Sequence, residues 1–281
     1  PRSTLFPYTT LFRSNSLKVT EDIDRLIISG KDFKYVFDKG SGLLSSVQVS
    51  GKEMLKRGGE FNIWRAPLAN ETDEWNYWRS NTKHRITGNG RFAASEWYSA
   101  GLNLLKTIHE DFNYNIVNDN RVVICTKNVV QTEGGRGAFM NSYEYVVSGN
   151  GEISISHSAI PDGNMPAWLP RIGMQWILDK SLENAEWYGR GPQENYPDRK
   201  SGYKIGIYKL TVAEMDEPYL IPQDYGLRTD TRWVRMTDSN GTGLEFSGGR
   251  LFNFSAQKYS VDNLTKAVYT YQLQPFDGIT F

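Results

Sequence analysis

Short runs of alternating apolar and polar residues, separated by turns, dominate this sequence and limit what it can fold into. The runs that show this pattern are 26–30, 33–37, 43–49, 113–130, 142–147, 152–160 and 171–178. Glycine-containing polar turns at intervals of about eight to twelve residues are typical of antiparallel β-structure. The Gly-Asn-Gly sequence at 149–151 has the composition of a hairpin connection. We therefore predict an all-β fold.

Helix signals are few. Thr211–Met215 and Val261–Ala267 could each form one or two turns, and Ser260 is placed to cap the second. Strands and helices do not alternate along the chain, which argues against a βα barrel and against a nucleotide-binding sheet.

The segment 187–200 packs glycines, prolines, aromatic rings and charges closely together. Gly189 and Gly191 allow backbone angles closed to other residues, while Pro192 and Pro197 fix φ and remove hydrogen-bond donors. This composition predicts a rigid, turned loop. Because its aromatic rings favour burial and its charged residues need partners, we expect a polar network over a hydrophobic edge, with the charges of Glu194, Asp198 and Arg199 in it.

Charge and cysteine content exclude several functions. The 32 basic and 32 acidic residues cancel, so no net field favours nucleic acid or an anionic membrane, and a neutral polar ligand fits better. The single cysteine, Cys125, excludes an intrachain disulfide, and its strand-like surroundings at 121–126 predict a small buried hydrophobe. No apolar run approaches the roughly 18 residues needed to cross a bilayer, so we expect a soluble chain, cytoplasmic or periplasmic.

Both ends of the sequence indicate a fragment. Residues 1–14 lack the features of a secretory signal and resemble translated adapter sequence, so we set them aside as a non-native leader. Residues 269–281 stop in what reads as the start of a strand. We expect 15–281 to form one domain that is truncated at its C-terminus.

The region 70–90 is the least regular, being polar and rich in aromatic residues. Structureless loops longer than about 12 to 15 residues in a compact domain are usually functional or mobile. This region is therefore our candidate for a moving part. Trp75 and Trp78 within it are candidates for carbohydrate or interdomain contacts, whereas most of the eight tryptophans should be in the core.

Catalytic signatures are missing. Glycosidic hydrolysis needs two facing carboxyl groups, about 5 Å apart for retention. The carboxylates that cluster along the chain carry no acid/base motif and are expected on the solvated surface; they are Glu183, Glu186 and Glu194, and Glu214, Asp216 and Glu217. The three histidines, His84, His109 and His157, lack zinc-binding spacings, so no metal site is expected. We expect His157 to be a strand residue that faces solvent or joins a satisfied polar layer.

Four motifs, in order, resemble the C-terminal domain of the large family 2 β-galactosidases, often called domain 5 or the small-chain domain. They are Ile63–Asn70, Gly191–Lys200, Pro222–Trp233 and Phe252–Ser260. The resemblance covers roughly residues 15 to 281. It implies a fold like galactose mutarotase, a large antiparallel supersandwich with one or two short helices.

The resemblance also implies which domain of the complete enzyme carries out catalysis and which domain contributes to the substrate pocket. Family members hydrolyse terminal non-reducing β-D-galactose residues with glutamates in a separate (β/α)₈ barrel, which also holds magnesium and a monovalent cation. This chain would supply an edge of the substrate pocket and carbohydrate contacts, with no catalytic residue and no cofactor of its own. Its partners would be the barrel with its β-galactoside, the other domains of the polypeptide, and further copies in a homo-oligomer, with no nucleic acid and no membrane.

Two sets of candidate site residues result from the residue patterns and the resemblance together. The substrate-side loop comprises Asn70, Glu71, Thr72, Asp73, Trp75 and Trp78. The structural motif comprises Gly191, Pro192, Glu194, Asn195, Tyr196, Pro197, Asp198 and Arg199, and it forms either a corner between strands or a direct sugar contact. Relatives commonly have Asp-Asn-Asp followed closely by glycine in the first set, whereas this chain has Ala69-Asn70-Glu71 and no glycine before Gly88, which argues against the same hinge. The family's aromatic platform for the leaving sugar would lie beyond Phe281.

Two alternatives remain open. One is a freestanding aldose 1-epimerase, which uses the same fold and in which His157 with Glu194 or Asp224 would move the proton. The other is a non-catalytic sugar-binding or scaffold module. Mutarotation assays and affinity measurements on galactosides separate these alternatives.

Overall fold

The computed structural model describes residues 16–72, 93–135 and 137–281 of the chain. Nearly all regular structure in these ranges is antiparallel β-strand, arranged in four sheets. The predicted all-β supersandwich is therefore confirmed. The leader predicted at 1–14 lies outside the described residues.

The first two sheets are simple meanders. The first has the spatial order β1 (Lys18–Glu21), β2 (Arg25–Ser29), β3 (Phe33–Asp38), β4 (Leu43–Val49) and β5 (Lys52–Glu53). The second runs β7 (Leu105–Asn118), β8 (Arg121–Thr132), β9 (Gly137–Ser148) and β10 (Ile153–Gly163). Gly151, at φ +89°, donates to Ser148 in the connection from β9 to β10, so the hairpin predicted at 149–151 is confirmed.

The other two sheets are not simple meanders, and the third joins segments distant in sequence. The third places β11 (Gly173–Leu178) between β6 (Leu55–Asn62) and β16 (Ile279–Thr280). The fourth has the order β13 (Lys204–Thr211), β12 (Asn184–Gly191), β14 (Arg228–Thr237) and β15 (Gly243–Phe254). Residues 191–200 and 222–228 are thus the loops that leave β12 and enter β14 at one end of this sheet.

One apolar core is shared by all four sheets. Fully buried members from the successive sheets include Phe37, Ile124, Leu178 and Trp187. In β8 every second residue from Val122 to Thr132 is buried, as expected for a strand with one face on a core. Most tryptophans within the described residues are in this core, as predicted, although Trp168 is 59% exposed.

The prediction that Cys125 is a small buried hydrophobe is wrong. It lies in β8, as its sequence surroundings predicted, but it is only half-buried. The strand alternation directs Val122 and Ile124 into the core, and Cys125 therefore belongs to the other face of the sheet.

Two α-helices occur in the described residues. The predicted one, α2 (Val261–Lys266), begins at Ser260, whose side chain accepts a hydrogen bond from the Asn263 N–H. The other, α1 (Ala93–Ser99), was not predicted. It ends at Ser99 and is followed by Gly101, at φ +71°, whose N–H donates to the Tyr98 carbonyl while the Leu102 N–H donates to the Trp97 carbonyl. This Schellman pattern is a local stop signal, but the helix is too short to show a clear helical period in the sequence.

Of the one or two turns predicted at 211–215, the structure has one, which does not continue into a helix. The structure has a single turn there, in which Met215 donates to the Thr211 carbonyl. Glu214 accepts from the Thr211 N–H and hydroxyl, which is a helix-start pattern. Pro218 follows closely and disfavours helical angles at Glu217, so the turn does not continue.

Candidate functional site

The four sequence motifs meet at one place. Asp224 donates through its N–H to the Ala66 carbonyl at 3.3 Å, and the Leu227 carbonyl accepts from the Asn195 N–H at 2.7 Å. The Gln257 side chain donates to the Tyr225 carbonyl at 2.6 Å. Residues 63–70, 191–200, 222–228 and 252–260 therefore form one continuous junction, although they are far apart in the chain.

Glu194 is the polar centre of this junction. Its carboxylate is buried and accepts hydrogen bonds from Gly226 N–H at 2.8 Å, Tyr196 Oη at 2.8 Å, Arg199 Nη2 at 2.8 Å and Tyr219 Oη. Burial alone raises the carboxyl pKa, but the four hydrogen bonds to the charged form outweigh it, so the pKa of Glu194 lies below its ordinary value. The same carboxylate acts on its neighbour, since burial and this hydrogen bond together raise the pKa of Tyr219 to about 12.

The polar network predicted for 191–200 is present for two of the three charged residues named. Glu194 and Arg199 form an ion pair. Asp198 is exposed, as is Pro197 before it. Asn195 is fully buried and accepts from the Thr229 N–H at 3.0 Å and from its hydroxyl at 2.5 Å, which joins the loop to the start of β14.

Arg228 supports the loop from below. Its guanidinium, 1% exposed, donates to the Pro192 carbonyl at 3.1 Å and the Gly226 carbonyl at 2.7 Å, and it stacks over the indole of Trp187 at 5.7 Å. Burial lowers the pKa of Arg228 below its ordinary value. The loop at 191–200 is therefore held by a buried cation, Arg228, that stacks on the aromatic ring of Trp187.

A second fixed turn faces this loop. Glu71 pairs with Arg65 through two hydrogen bonds of 2.6 and 2.7 Å, and it also accepts from the Leu68 N–H at 2.8 Å. The Glu71 N–H closes the turn on the Leu68 carbonyl at 3.0 Å. Arg65 is held in addition by the Pro170 carbonyl at 2.9 Å. These bonds leave Asn70 exposed at the tip of a rigid turn.

The predicted substrate-side loop is only partly described. Glu71 belongs to the Arg65 pair and Thr72 is buried, so only Asn70 of the three described members is exposed. Asp73, Trp75 and Trp78 lie outside the described residues. The predicted loop 70–90 lies outside them from residue 73 onward.

Two clefts open at the junction. The larger cleft encloses about 800 Å³, and its apolar wall is formed by Met174, Trp176, Phe246, Phe252 and Phe281. The smaller cleft encloses about 350 Å³ and is lined by Leu68, Ala69, Asn70, Tyr196, Asp198, Arg199, Tyr219, Gln223 and Asp224. Leu68, Tyr196 and Asp224 are common to both. The junction thus presents two adjacent clefts, and the larger one combines an apolar wall with polar and charged residues that include Arg65, Arg171 and Asp224.

Several residues of this junction were not singled out from the sequence. Arg171 pairs with Asp224 at 2.5 Å, and Tyr219 bonds to Glu194. Glu71 was predicted to face substrate, and its ion pair with Arg65 was not predicted. Only the presence of charged residues beside prolines and glycines hinted at these pairs, because nothing local indicates which distant carboxylate a cation will meet.

His157 occupies a different environment. It lies in β10, where its ring stacks on Tyr143 with centroids 4.3 Å apart, and its Nε2 lies 2.8 Å from the Asn141 Oδ1. The Asn141 amide nitrogen donates to the Phe139 carbonyl, so its oxygen must accept and His157 donates. The prediction of a satisfied polar layer is confirmed. His157 lines neither cleft, which removes the support for pairing it with Glu194 or Asp224 in an epimerase.

Ligands for a metal do not come together in the part of the chain that the structure describes, where no group of three or more His, Cys, Asp or Glu side chains could hold an ion. Within the same residues, no helix has the length and apolar character to span a membrane.

Comparison with known proteins decides the family. A model described as the β-galactosidase small chain matches residues 29–281. The chain belongs to this family. Among curated relatives, β-galactosidases of Lactobacillus delbrueckii subsp. bulgaricus, Priestia megaterium and Vibrio cholerae are 32%, 29% and 28% identical to it, over 88%, 94% and 90% of the chain.

This small-chain domain spans less than a quarter of those relatives, at 22%, 23% and 23% of their length respectively. The matched residues include all four motifs of the junction. The four segments that resemble the family in sequence are therefore the same segments that contact one another in the junction.

Proposed function

We propose that this chain is the non-catalytic C-terminal domain of a β-galactosidase, and that it forms an edge of the pocket that receives terminal non-reducing β-D-galactosides. Hydrolysis would require the (β/α)₈ barrel to which the domain is joined. Magnesium and a monovalent cation would be bound by that barrel in the complete enzyme. The domain's partners would be the barrel, the other domains of the polypeptide and further copies in a homo-oligomer.

The observation that carries the proposal is the convergence of the four family motifs at one exposed junction with a cleft. A corner that served only to connect β12 with β13 would have no need of residues 63–70 and 252–260. Ligand sites in proteins are commonly clefts of about 300 to 1,000 Å³ with a few placed polar groups, and both clefts fall in that range.

The hydrogen bonds and ion pairs of the junction carboxylates support a non-catalytic role for the domain. A glycosidase needs one carboxyl group free to donate a proton and another free to attack or to activate water. Here Glu194, Glu71 and Asp224 are each engaged by an arginine. A carboxylate that is saturated by structural donors is a poor base and a poor nucleophile.

The test is a rate measurement on the purified 281-residue chain with a chromogenic β-galactoside, with and without added magnesium. We expect no hydrolysis above the rate in buffer. Turnover at the rate of an enzyme would overturn the division of roles. A parallel assay of galactose mutarotation by polarimetry should also show no acceleration, because His157 is away from the junction carboxylates.

A further inference from the structure

We propose that the smaller cleft is the sugar contact of this domain and takes one pyranose ring of the galactoside, stacked on Tyr219. This inference rests on the proposed function, which it deepens by naming the contact. It assigns the sugar to the 350 Å³ cavity rather than to the larger one beside it.

The walls of the smaller cleft are fixed before any ligand arrives. On one side, the pair of Arg65 with Glu71 holds the turn that carries Asn70, and Ala69 donates to the Gln223 side chain at 2.9 Å. Such preorganisation reduces the entropy lost when a weak neutral ligand binds.

The opposite wall is held by Glu194. The hydroxyl groups of Tyr196 and Tyr219 both donate to its carboxylate, so neither ring is free to turn away from the cleft. Arg199 already covers the Tyr196 ring, with its guanidinium carbon 5.3 Å from the centroid. The partly exposed ring of Tyr219 is therefore the platform that remains for the C–H face of a sugar.

Polar groups around the rim suit hydroxyls rather than an ion. Asp224 is paired with Arg171, and Arg199 is paired with Glu194, so their charges are largely compensated. Asp198 is exposed and supplies acceptor oxygens, while Asn70 supplies both a donor and an acceptor. A neutral ligand with several hydroxyl groups matches this set.

The larger cleft differs in the side chains that it offers. Its apolar wall includes Met174, Phe246 and Phe252, against which a pyranose would bury hydroxyl groups without partners. Charged and polar residues also line this cleft, but its arginines are already engaged, Arg65 by Glu71 and Arg171 by Asp224. The exposed Asn70 and Asp198 line the smaller cleft and not the larger one, and they favour the smaller cleft for the sugar.

The experiment is a lactose titration of the isotope-labelled 281-residue chain, followed by amide NMR shifts up to about 0.5 M sugar, with glycerol at equal concentration as the control for solvent effects. We expect saturable shifts in the Asn70 and Gln223 side-chain amides and in the backbone of Asp198 and Tyr219. Met174 and Phe246 should not shift.

Three variants test the assignment of individual contacts. Asp198→Asn should weaken binding about five- to tenfold, through loss of a charged acceptor. Tyr219→Leu should abolish the shifts, whereas Tyr219→Phe, which keeps the ring but loses the hydrogen bond that fixes it to Glu194, should weaken binding by less than about tenfold and keep the shifts saturable. Asp162→Asn, in an exposed carboxylate at the end of β10, is the matched control and should change nothing.

Two outcomes overturn the inference. Saturable shifts confined to the larger cleft would place the sugar there and leave the proposed function standing. No saturable shift in the smaller cleft at 0.5 M would show that this cavity does not take a pyranose. Failure of the proposed function is seen separately, as hydrolysis of the chromogenic galactoside by the chain alone.

Discussion

Glu194 and Gly226, 32 residues apart, are joined by a 2.8 Å hydrogen bond from the Gly226 N–H to the buried carboxylate. The bond connects the loop after β12 to the loop before β14. Three side-chain donors bind the same carboxylate, so the Glu194 side chain holds the segments of the junction together.

Replacing Glu194 with glutamine should destabilise the domain by about 2 to 4 kcal/mol, because the amide NH₂ of the new side chain would face donors that the carboxylate now satisfies. Chemical denaturation followed by tryptophan fluorescence measures the change. Glu245→Gln removes a carboxylate from a pair with Arg235 in which both side chains are nearly half exposed, and it should cost less than about 0.5 kcal/mol. Equal effects of the two substitutions would contradict the anchoring role.

Acidification should weaken the domain through Glu194. Because its pKa is lower in the folded chain than the ordinary 4.5, its contribution is fully present above that pH and is lost as the pH falls through the folded value. The free energy of unfolding should therefore fall below about pH 4.5, and more steeply for the native chain than for Glu194→Gln. Denaturation curves between pH 3 and 6 measure this. Parallel pH profiles for the two chains would show that the carboxylate is not the source.

Protonation of His157 should lower the stability of the domain separately, and at a higher pH than protonation of Glu194. Burial lowers its pKa below the ordinary 6.5, so the unfolded chain binds a proton first as the pH falls. Stability should begin to drop near pH 6.5, and His157→Gln should remove this part of the profile while leaving the decline below pH 4.5 intact. Histidine NMR titration measures the pKa directly. A value at or above 6.5 would be inconsistent with the buried polar layer.

Arg65→Lys should loosen the turn that carries Asn70. A lysine cannot form two parallel hydrogen bonds to Glu71 and also reach the Pro170 carbonyl, so we expect a loss of about 1 to 2 kcal/mol. Hydrogen exchange at the Leu68 and Glu71 amides should accelerate at the same time. Arg57→Lys, in which the exposed arginine pairs with the partly buried Glu60, is the control. Unchanged exchange at Leu68 would mean that the pair does not hold the turn.

Gly58→Ala should be poorly tolerated, because a Cβ there would lie 1.7 Å from the Leu44 carbonyl oxygen, and backbone must move to admit it. Overpacking of this kind typically costs about 1 to 3 kcal/mol, and a backbone clash places this substitution at the upper end. Gly173→Ala, in the neighbouring strand, meets nothing within 4 Å and should be nearly neutral. Thermal denaturation compares the two. Equal melting temperatures would show that β4 and β6 are not so closely packed.

Local patterns along the chain determined the strands, the 149–151 hairpin, the cap at Ser260 and the motifs of the family, since each depends on neighbours within a few residues. Helix α1 was not predicted, and the extent of the turn at 211–215 was left open, because short helices differ little from turns until their ends are seen in space. Tertiary structure alone decided that Asp224 meets Arg171, that Glu194 meets Gly226, and that Cys125 is not in the core. Those contacts depend on which sheets pack together, and no period in the sequence carries that information.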